Sequence, residues 1–372
     1  MKYKVPFVNY PKQYQDHKKE YLEKLDDVFS RGDLIMRKDL EEFERKFAGF
    51  VGTKYAVGVN SGTSAIYVAL KAAGIGFRDE VITVAHTFIA SISCIYLVGA
   101  KPVLVDIGED FNMDVKKIES AVTKRTKAIE VVHLNGRLCD MEKIMAIAKK
   151  RKLLIIEDAS QAVGAKMKMK NGEWKKAGSF GIAGCFSLYP AKILGAFGNA
   201  GVLATNNSEI AKKARLLRYN GEDRETRTFY CHSHNLLLDN AQAALLNVKM
   251  KYLPGWIKRR IKIANLYYNG LKDVPAIKLP HFGDSRFYDA YFHYVIRVSD
   301  RENLKSFLRS KGVETIVSTG FPNYRQPAMK PNKIFLKNTE EICKEVISLP
   351  MYPELTNEQA GYVINCVKEF YY

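Results

Sequence analysis

The sequence predicts an α/β protein in which a mostly parallel sheet is covered by helices, followed by a smaller α+β lobe. Short apolar segments without polar alternation, joined by helical segments, predict the sheet. A mixed pattern of strands and helices after residue 249 predicts the second lobe. We expect a large domain over residues 1–249 and a small domain over residues 250–372, with the N-terminal segment free to pack against the small domain.

The period of the apolar residues places the individual elements in order along the chain. A helical period runs over residues 18–50 and is interrupted by a turn at residues 31–33. Strands are predicted at residues 55–59, 80–84, 102–106, 128–134, 153–157 and 293–298. Further helices are predicted at residues 63–73, 89–98, 141–150, 240–272 (with breaks), 301–310 and 357–371.

The composition favours a globular protein over a membrane-spanning or secreted one. Apolar residues make up 47% of the chain, which is typical of a globular protein, and the apolar runs are too short to span a bilayer. The first residues, Met1–Phe7, lack the apolar core of a signal peptide, so we expect a cytoplasmic location. The six cysteines lack Cys-x-x-Cys spacing, which favours reduced thiols and predicts no metal site.

The formal net charge of +18 raises the possibility of a nucleic-acid partner. The lysines are spread over the whole chain, and neither an arginine-rich arm nor zinc-finger spacing accompanies them. We therefore interpret the charge as solvated helix faces and expect neither a nucleic acid nor a membrane as partner. A preference for phosphorylated small molecules is compatible with the same charge.

Two residues predict the chemistry. Asp158 follows the apolar run Leu153–Ile156, and Lys192 lies further along in a segment rich in apolar residues and glycine. A carboxylate at a strand end can keep a pyridine nitrogen protonated, and a lysine can form an imine with an aldehyde, which together suit pyridoxal 5′-phosphate (PLP). Gln161 could bond the ring's phenolic oxygen. The alternatives are a helix cap for Asp158 and a surface cation for Lys192.

Other segments suit the phosphate and the ring of the same cofactor. Gly62, Thr63 and Ser64 lie between a strand and a helix, where backbone N–H groups and hydroxyls can bind a phosphate. Ser187 could add a further hydroxyl, and Phe88 could stack on the pyridine ring. Taken singly, the alternatives are an ordinary N-cap and a core phenylalanine.

Taken in order, these segments resemble the sugar aminotransferases of the DegT/DnrJ/StrS family, which are fold-type I PLP enzymes. The resemblance covers nearly the whole chain. The segments that carry it are residues 5–8, 52–58, 74–76, 79–82, 99–103, 157–162 and 348–356.

The resemblance implies a role for each candidate residue. Lys192 is similar to the imine-forming lysine, Asp158 to the partner of the pyridine nitrogen, and Asn235 to an asparagine that reaches the cofactor phosphate of a neighbouring subunit. It also implies a homodimer with shared active sites. The amino donor is then L-glutamate, and the acceptor is a keto-sugar, usually linked to a nucleoside diphosphate. A dehydratase branch of the family carries histidine at the position of Lys192, so the lysine favours amino transfer.

The chain departs from the family pattern where substrates would be held. An arginine of the family is replaced by Leu237, and two small-lobe histidines fall on Ser318 and Tyr324. Because an arginine is a bidentate anion clamp, its loss raises the question of a replacement, for which Arg325, Arg224 and Arg227 are candidates. Ser318, Tyr324 and Arg325 are our candidate substrate-binding residues.

These departures leave two alternatives open. One is an aminotransferase acting on a keto-phosphate or cyclic ketone that carries no nucleotide. The other is a non-catalytic regulatory relative, which is suggested by Asn199, in place of a family aspartate, and by Leu237.

Overall fold

A computed structural model of the protein describes residues 3–329 and 333–372. The helices are α1 Tyr10–Ser30, α2 Lys38–Val51, α3 Gly62–Ala72, α4 Ile89–Leu97, α5 Ile118–Ala121, α6 Met141–Arg151, α7 Ser208–Leu217, α8 Asn240–Leu271, α9 Arg301–Ser310, α10 Lys337–Glu345 and α11 Asn357–Tyr371. The strands are β1 Tyr55–Val59, β2 Glu80–Val84, β3 Lys101–Val105, β4 Thr126–Val132, β5 Leu154–Asp158, β6 Lys166–Lys168, β7 Trp174–Lys176, β8 Ala183–Ser187, β9 Gly201–Thr205, β10 Glu222–Asp223, β11 Thr228–Phe229, β12 Ile277–Lys278, β13 Phe287–Tyr288, β14 Tyr294–Val298 and β15 Val346–Leu349.

The central sheet has seven strands in the order β1-β9-β8-β5-β4-β2-β3. Strands β2, β3, β4, β5 and β8 pair in parallel, whereas β9 is antiparallel to both of its neighbours. The prediction of an α/β protein with a mostly parallel sheet is therefore confirmed. Because β1 runs in the same direction as β8, the carboxyl ends of β1, β2, β4, β5 and β8 meet at one edge of the sheet.

Apolar clusters cover both faces of this sheet, which explains the apolar character of its strands. On one face Phe43 and Phe47 of α2 pack with Phe186 of β8 and with residues of β4 and β9. On the other face α3 contributes Ile66 and Leu70, and α4 and α7 complete the layer. Strands buried on both faces have no polar side to alternate with.

A separate apolar cluster fills the smaller lobe. It joins the sheet β12-β14-β15 to α9, α11 and the second part of α8. Val5 belongs to this cluster and pairs with Val313, so the N-terminal segment packs with the C-terminal lobe. The division at residues 249/250 stays a prediction, and that position lies inside α8, which is shared by the two apolar clusters.

The structure differs from the predicted elements in particular places. Helix α8 is continuous through Pro254, although the sequence predicts breaks in this stretch. The turn predicted at residues 31–33 separates α1 from α2, and α1 begins earlier than expected, with Asn9 as its N-cap. Elements that the sequence analysis does not predict include strands β8, β9 and β15 and helices α7 and α10. Over the part of the chain that the structure describes, no helix combines the length and the apolar character needed to cross a bilayer.

Candidate active site

A cavity of about 520 Å³ opens at the edge where the carboxyl ends of the parallel strands meet. Its volume is within the range of small-molecule sites. Of the residues predicted for the cofactor, those that line the cavity are Gly62, Thr63, Phe88, Asp158, Gln161, Ser187 and Lys192. Each follows or ends a strand, so the fold brings together side chains that are far apart in the sequence.

Asp158 is the last residue of β5; it is buried and lines the cavity. The Ser91 hydroxyl donates to Oδ2 at 2.8 Å, and the Ser160 amide donates to Oδ1 at 3.1 Å. These donors hold the carboxylate in one orientation. In that orientation its oxygens can accept a further hydrogen bond from a protonated ring nitrogen.

Lys192 lies in the loop between β8 and β9, which the Leu188 amide closes by donating to Ala200 at 2.8 Å. Its Nζ is 4.4 Å from the centroid of the Phe292 ring. Burial lowers the pKa of the Lys192 amine from 10.5 to about 8, and the negative charge of Asp158 acts in the opposite direction. Near neutral pH a useful fraction of the amine is therefore uncharged and nucleophilic.

The N-terminus of α3 forms the side of the cavity beside Ser187. The Ser61 hydroxyl accepts from the Ser64 amide at 3.0 Å, whereas the amides of Gly62 and Thr63 have no acceptor among the described residues. Free amides at a helix N-terminus bind anions. A side chain at position 62 would collide with Ser187, since a Cβ there would lie 2.6 Å from the Ser187 Cβ.

The side chain of Gln161 is oriented by a hydrogen bond from the backbone of another residue. Its Oε1 accepts from the Asn135 amide at 2.9 Å, so its Nε2 is left to donate into the cavity. Phe88 lies at the mouth, where 67% of its surface is exposed. An exposed aromatic ring of this kind is available for stacking on a planar ligand.

Not every predicted residue lines the cavity. Ser64 is buried behind it, where its hydroxyl donates to Asn60 at 2.6 Å. Asn235 is exposed and lies outside this chain's own cavity. Ser318 contacts His293 at 3.4 Å. The Tyr324 hydroxyl and the Arg325 guanidinium both donate to Oε1 of Glu340, at 2.6 Å each. The substrate-binding roles of Ser318, Tyr324 and Arg325 stay predictions.

Sequence reasoning misses several residues that shape the cavity. Tyr189, Asn199 and His133 line it, but the sequence points to Asn199 alone, as a departure from a family motif. His133 accepts from the Cys139 amide through Nδ1 and donates through Nε2 to Glu157 at 3.0 Å. Glu157 also accepts from the amides of residues 178, 180 and 181. The feature of the sequence that could have indicated this network is the acidic pair, Glu157 and Asp158, that ends β5.

This set of groups fits PLP. A buried carboxylate lies at the end where a pyridine nitrogen would bind, and free helix amides lie where a phosphate would bind. Lys192 supplies an amine of lowered pKa to the same cavity. The described residues contain no cluster of His, Cys, Asp and Glu side chains suited to holding a metal ion.

Comparisons with known proteins agree with this geometry. The model of the DegT/DnrJ/EryC1/StrS aminotransferase family matches residues 15–368. The chain is 40% identical to a pleiotropic regulatory protein of Geobacillus stearothermophilus, over 99% of this chain and 98% of the relative. It is 38% identical to the dTDP-3-amino-3,6-dideoxy-alpha-D-galactopyranose transaminase of Aneurinibacillus thermoaerophilus, over 99% of this chain and all of the relative (100%).

Solved structures are similar over the same length. The crystal structure of DesV from S. venezuelae, in complex with a ketimine intermediate, superposes with a TM-score of 0.94 at 35% identity and covers 98% of each chain. A Brucella abortus aminotransferase described by the same family name superposes with a TM-score of 0.93 at 30% identity, over 99% of each chain. The chain therefore belongs to the DegT/DnrJ/EryC1/StrS aminotransferase family and is a PLP-dependent transaminase.

Proposed function

We propose that the protein transfers the amino group of L-glutamate to a keto-sugar linked to a nucleoside diphosphate. The product would be an amino sugar for a polysaccharide, a glycan or a secondary metabolite. The observation that carries the proposal is the placement of Lys192 and the buried Asp158 in one cavity, beside the free amides of α3. Relatives named as transaminases of dTDP-linked sugars support the choice of acceptor.

Different residues of the cavity would bind different parts of the cofactor. Asp158 would accept a hydrogen bond from the ring nitrogen, and the Nε2 of Gln161 would donate to the phenolic oxygen. Gly62, Thr63 and Ser187 would bind the phosphate, while Phe88 would cover one face of the ring. When bound, PLP supplies an electron sink that acidifies the α-carbon of an amino acid.

Lys192 would then move the proton. Because burial brings the pKa of its amine to about 8, Nζ can accept a proton from the donor's α-carbon and give one back near physiological pH. The Phe292 ring, 4.4 Å from Nζ, limits the directions that the amine can take. Donor and acceptor would use the same amine in turn, with the proton moving in opposite directions.

A homodimer with shared active sites is part of the proposal. Among the described lining residues, Lys192 is the single lysine and there is no arginine, yet the substrates carry carboxylates or a diphosphate. Further cations would therefore come from a second copy of the chain. The segment from β10 to Asn235 is suited to reach that copy, because it exposes Phe229, Tyr230 and the candidate arginines Arg224 and Arg227.

The first experiment is the visible spectrum of the purified protein. We expect an absorbance band that borohydride shifts in the wild type and that is missing in Lys192→Ala. Lys251→Ala is the matched control, because its ammonium is exposed and pairs with Glu20. A reducible band that persists in Lys192→Ala would contradict the role given to this residue.

The second experiment identifies the acceptor. After the protein has been converted to its amino form with L-glutamate, it is incubated with dTDP-linked and UDP-linked keto-sugars and, separately, with small keto-phosphates. We expect aminated product and recovery of the visible band with a nucleotide sugar. Product from keto-phosphates alone would contradict a nucleotide-linked acceptor.

A keto compound without a nucleotide is the alternative acceptor. Leu237 removes a family arginine, and the Arg325 guanidinium is engaged with Glu340. If no other cation binds a diphosphate, the site would favour a smaller substrate. The acceptor panel above decides between the two.

A regulatory role is a further alternative, because one relative is named a pleiotropic regulatory protein. In that case the protein would bind PLP without turnover. Glutamate-dependent bleaching of the visible band, with 2-oxoglutarate released in equal amount, would eliminate this alternative. The cytoplasmic location expected from the sequence stays a prediction.

A further inference from the structure

Helix α8 carries a buried lysine that the proposed mechanism does not use. Lys249 is 1% exposed and lies outside the cavity. Its Nζ donates to the Gly195 carbonyl at 2.6 Å and lies 3.5 Å from Oε1 of Gln13. It also lies 4.0 Å from the centroid of the Phe197 ring. The ammonium is thus directed at the loop that carries Lys192.

The loop that receives this hydrogen bond is tightly folded. The Lys192 amide donates to the Tyr189 carbonyl and the Ala196 amide to the Leu188 carbonyl, both at 2.8 Å. Gly195 packs directly on Pro190, since a Cβ at position 195 would lie 2.1 Å from the Pro190 carbonyl oxygen. A shift of Gly195 would therefore move Pro190, and with it the backbone of Lys192.

An ammonium in this place is costly if packing is its sole purpose. Burial disfavours the charged form of Lys249, and an apolar side chain of similar length would avoid that cost. A methionine, however, could not donate to the Gly195 carbonyl. The electrostatic influences on the Lys192 amine come from burial and Asp158, so a contribution from Lys249 would be mechanical, through the loop.

We propose that Lys249 is a positioning residue for Lys192, which it holds in the cavity through the Gly195 carbonyl. This inference rests on the proposed role of Lys192. Gln242, also on α8, supports the same loop by accepting from the Phe197 amide at 3.0 Å. Helix α8 thus holds the loop at Gly195 and at Phe197, both of which follow Lys192.

The test uses Lys249→Met in the full-length holoenzyme. Hydrogen–deuterium exchange of the peptide spanning residues 188–200 reports on the loop, both with and without PLP. We expect faster exchange in this peptide, and a glutamate half-reaction about tenfold to a hundredfold slower per bound cofactor, because small misplacements of reacting groups have effects of that size. The Michaelis constant for glutamate should change much less than the rate.

Lys251→Met is the matched control, since Lys251 lies on the same helix but is exposed and pairs with Glu20. It should behave as the wild type. Lys249→Arg, which keeps a cationic donor, should restore part of the loop protection and part of the rate. If the methionine variant does not fold, Lys249→Gln takes its place, because its shorter amide cannot reach the Gly195 carbonyl.

The outcomes separate the possibilities. Lower thermal stability with wild-type loop exchange and a wild-type rate would overturn the proposal and leave Lys249 a packing residue. A slower rate with unchanged loop exchange would overturn it as well. Failure of the role of Lys192 itself is seen independently, as a reducible visible band that survives in Lys192→Ala.

Discussion

At the scale of single residues, the role proposed for Lys192 requires a partly uncharged amine, and the surroundings of this amine lower its pKa. Burial lowers its pKa, while Asp158 favours the charged form. Both effects act on the Lys192 amine, so the direction in which its pKa changes when one of them is removed can be predicted. The two groups also belong to the same cavity, which makes the pair a direct test of the site.

We expect the Lys192 amine of the apoprotein to titrate with a pKa of about 8. Competitive acetylation as a function of pH, read by mass spectrometry against N-acetyl-lysine amide, measures it. In Asp158→Asn the pKa should fall further, because the carboxylate that favours the ammonium is gone. If the pKa of Lys192 in the wild type equals that of N-acetyl-lysine amide, the burial of the amine is contradicted.

Glu130 is a second residue whose environment sets its charge. It is fully buried in β4, and both carboxyl oxygens lack a hydrogen-bond partner among the described residues. Burial, with the nearby charge of Asp158, raises its pKa well above its usual value of 4.5. The folded protein therefore holds this proton at pH values where the unfolded chain releases it, so the contribution of Glu130 to stability falls as pH rises above 4.5.

The prediction concerns Glu130→Gln, which is neutral at every pH. Relative to the wild type, its free energy of unfolding should increase as pH rises from about 5 to about 8, by up to about 1.4 kcal/mol per pH unit. Urea unfolding of the apoprotein measures the difference. Glu119→Gln is the control: Lys150 lowers the pKa of this exposed carboxyl, so its difference should be flat over the same range. A flat result for Glu130→Gln would contradict a protonated Glu130.

At the scale of elements, the junction between α3 and β8 sets the width of the part of the cavity that we propose for the phosphate. Gly62 begins α3 and touches the Ser187 side chain at the end of β8. Gly201, at the start of β9, packs as closely on the Ser61 carbonyl, since a Cβ at position 201 would lie 2.2 Å from that oxygen. A strand and a helix can approach this closely only where a side chain is missing.

Gly62→Ala should therefore force α3 and Ser187 apart and weaken PLP binding by about tenfold or more, since overpacking typically costs about 1–3 kcal/mol. Equilibrium dialysis of PLP measures the affinity. Gly361→Ala is the matched control, because Gly361 lies within α11 with open space around it and its substitution should stabilise the protein by about 0.5–1 kcal/mol. Equal PLP affinity in both variants would show that the junction tolerates a methyl group.

The elements differ in how well the sequence predicts them. Strands β1, β2 and β5 and helices α3, α9 and α11 are predicted to within about one or two residues, because their apolar pattern and their caps are local. Strand β8 escapes prediction because it contains and follows glycines, which disfavour strands in isolation. Gly184 is needed there for tertiary reasons, since a Cβ would lie 2.3 Å from the Gly178 backbone.

The same distinction applies to the site. That Asp158 and Lys192 line one cavity could be predicted, since each has a local signature, a strand end and an apolar segment, whereas their roles stay predictions. Ser91, which donates to Asp158, is 67 positions away in the sequence and has no local signature. Lys249 is likewise remote from Gly195, at a separation of 54. Contacts of this kind depend on how helices pack on the sheet, which one sequence does not reveal.

At the scale of the whole molecule, the net charge of +18 and the position of Asn235 both bear on assembly. A cationic surface attracts anionic substrates from solution but does not place a cation in the cavity. Asn235 lies outside its own chain's cavity, close to the end of an exposed segment. In a symmetric dimer, a residue that one chain exposes at the interface can contribute to the active site of the other chain.

The proposed homodimer with shared active sites predicts complementation between two defective variants. Lys192→Ala and Asn235→Asp should each be impaired as homodimers, the second because a carboxylate would repel the cofactor phosphate. When the two are unfolded together and refolded at equal concentrations, heterodimers form in which one site has both native residues, so about a quarter of the wild-type sites should return. The rate of glutamate-dependent bleaching measures the recovery, and refolded wild type is the reference. If Asn235 served the site of its own chain, each site in the heterodimer would keep one defect and no recovery would be seen.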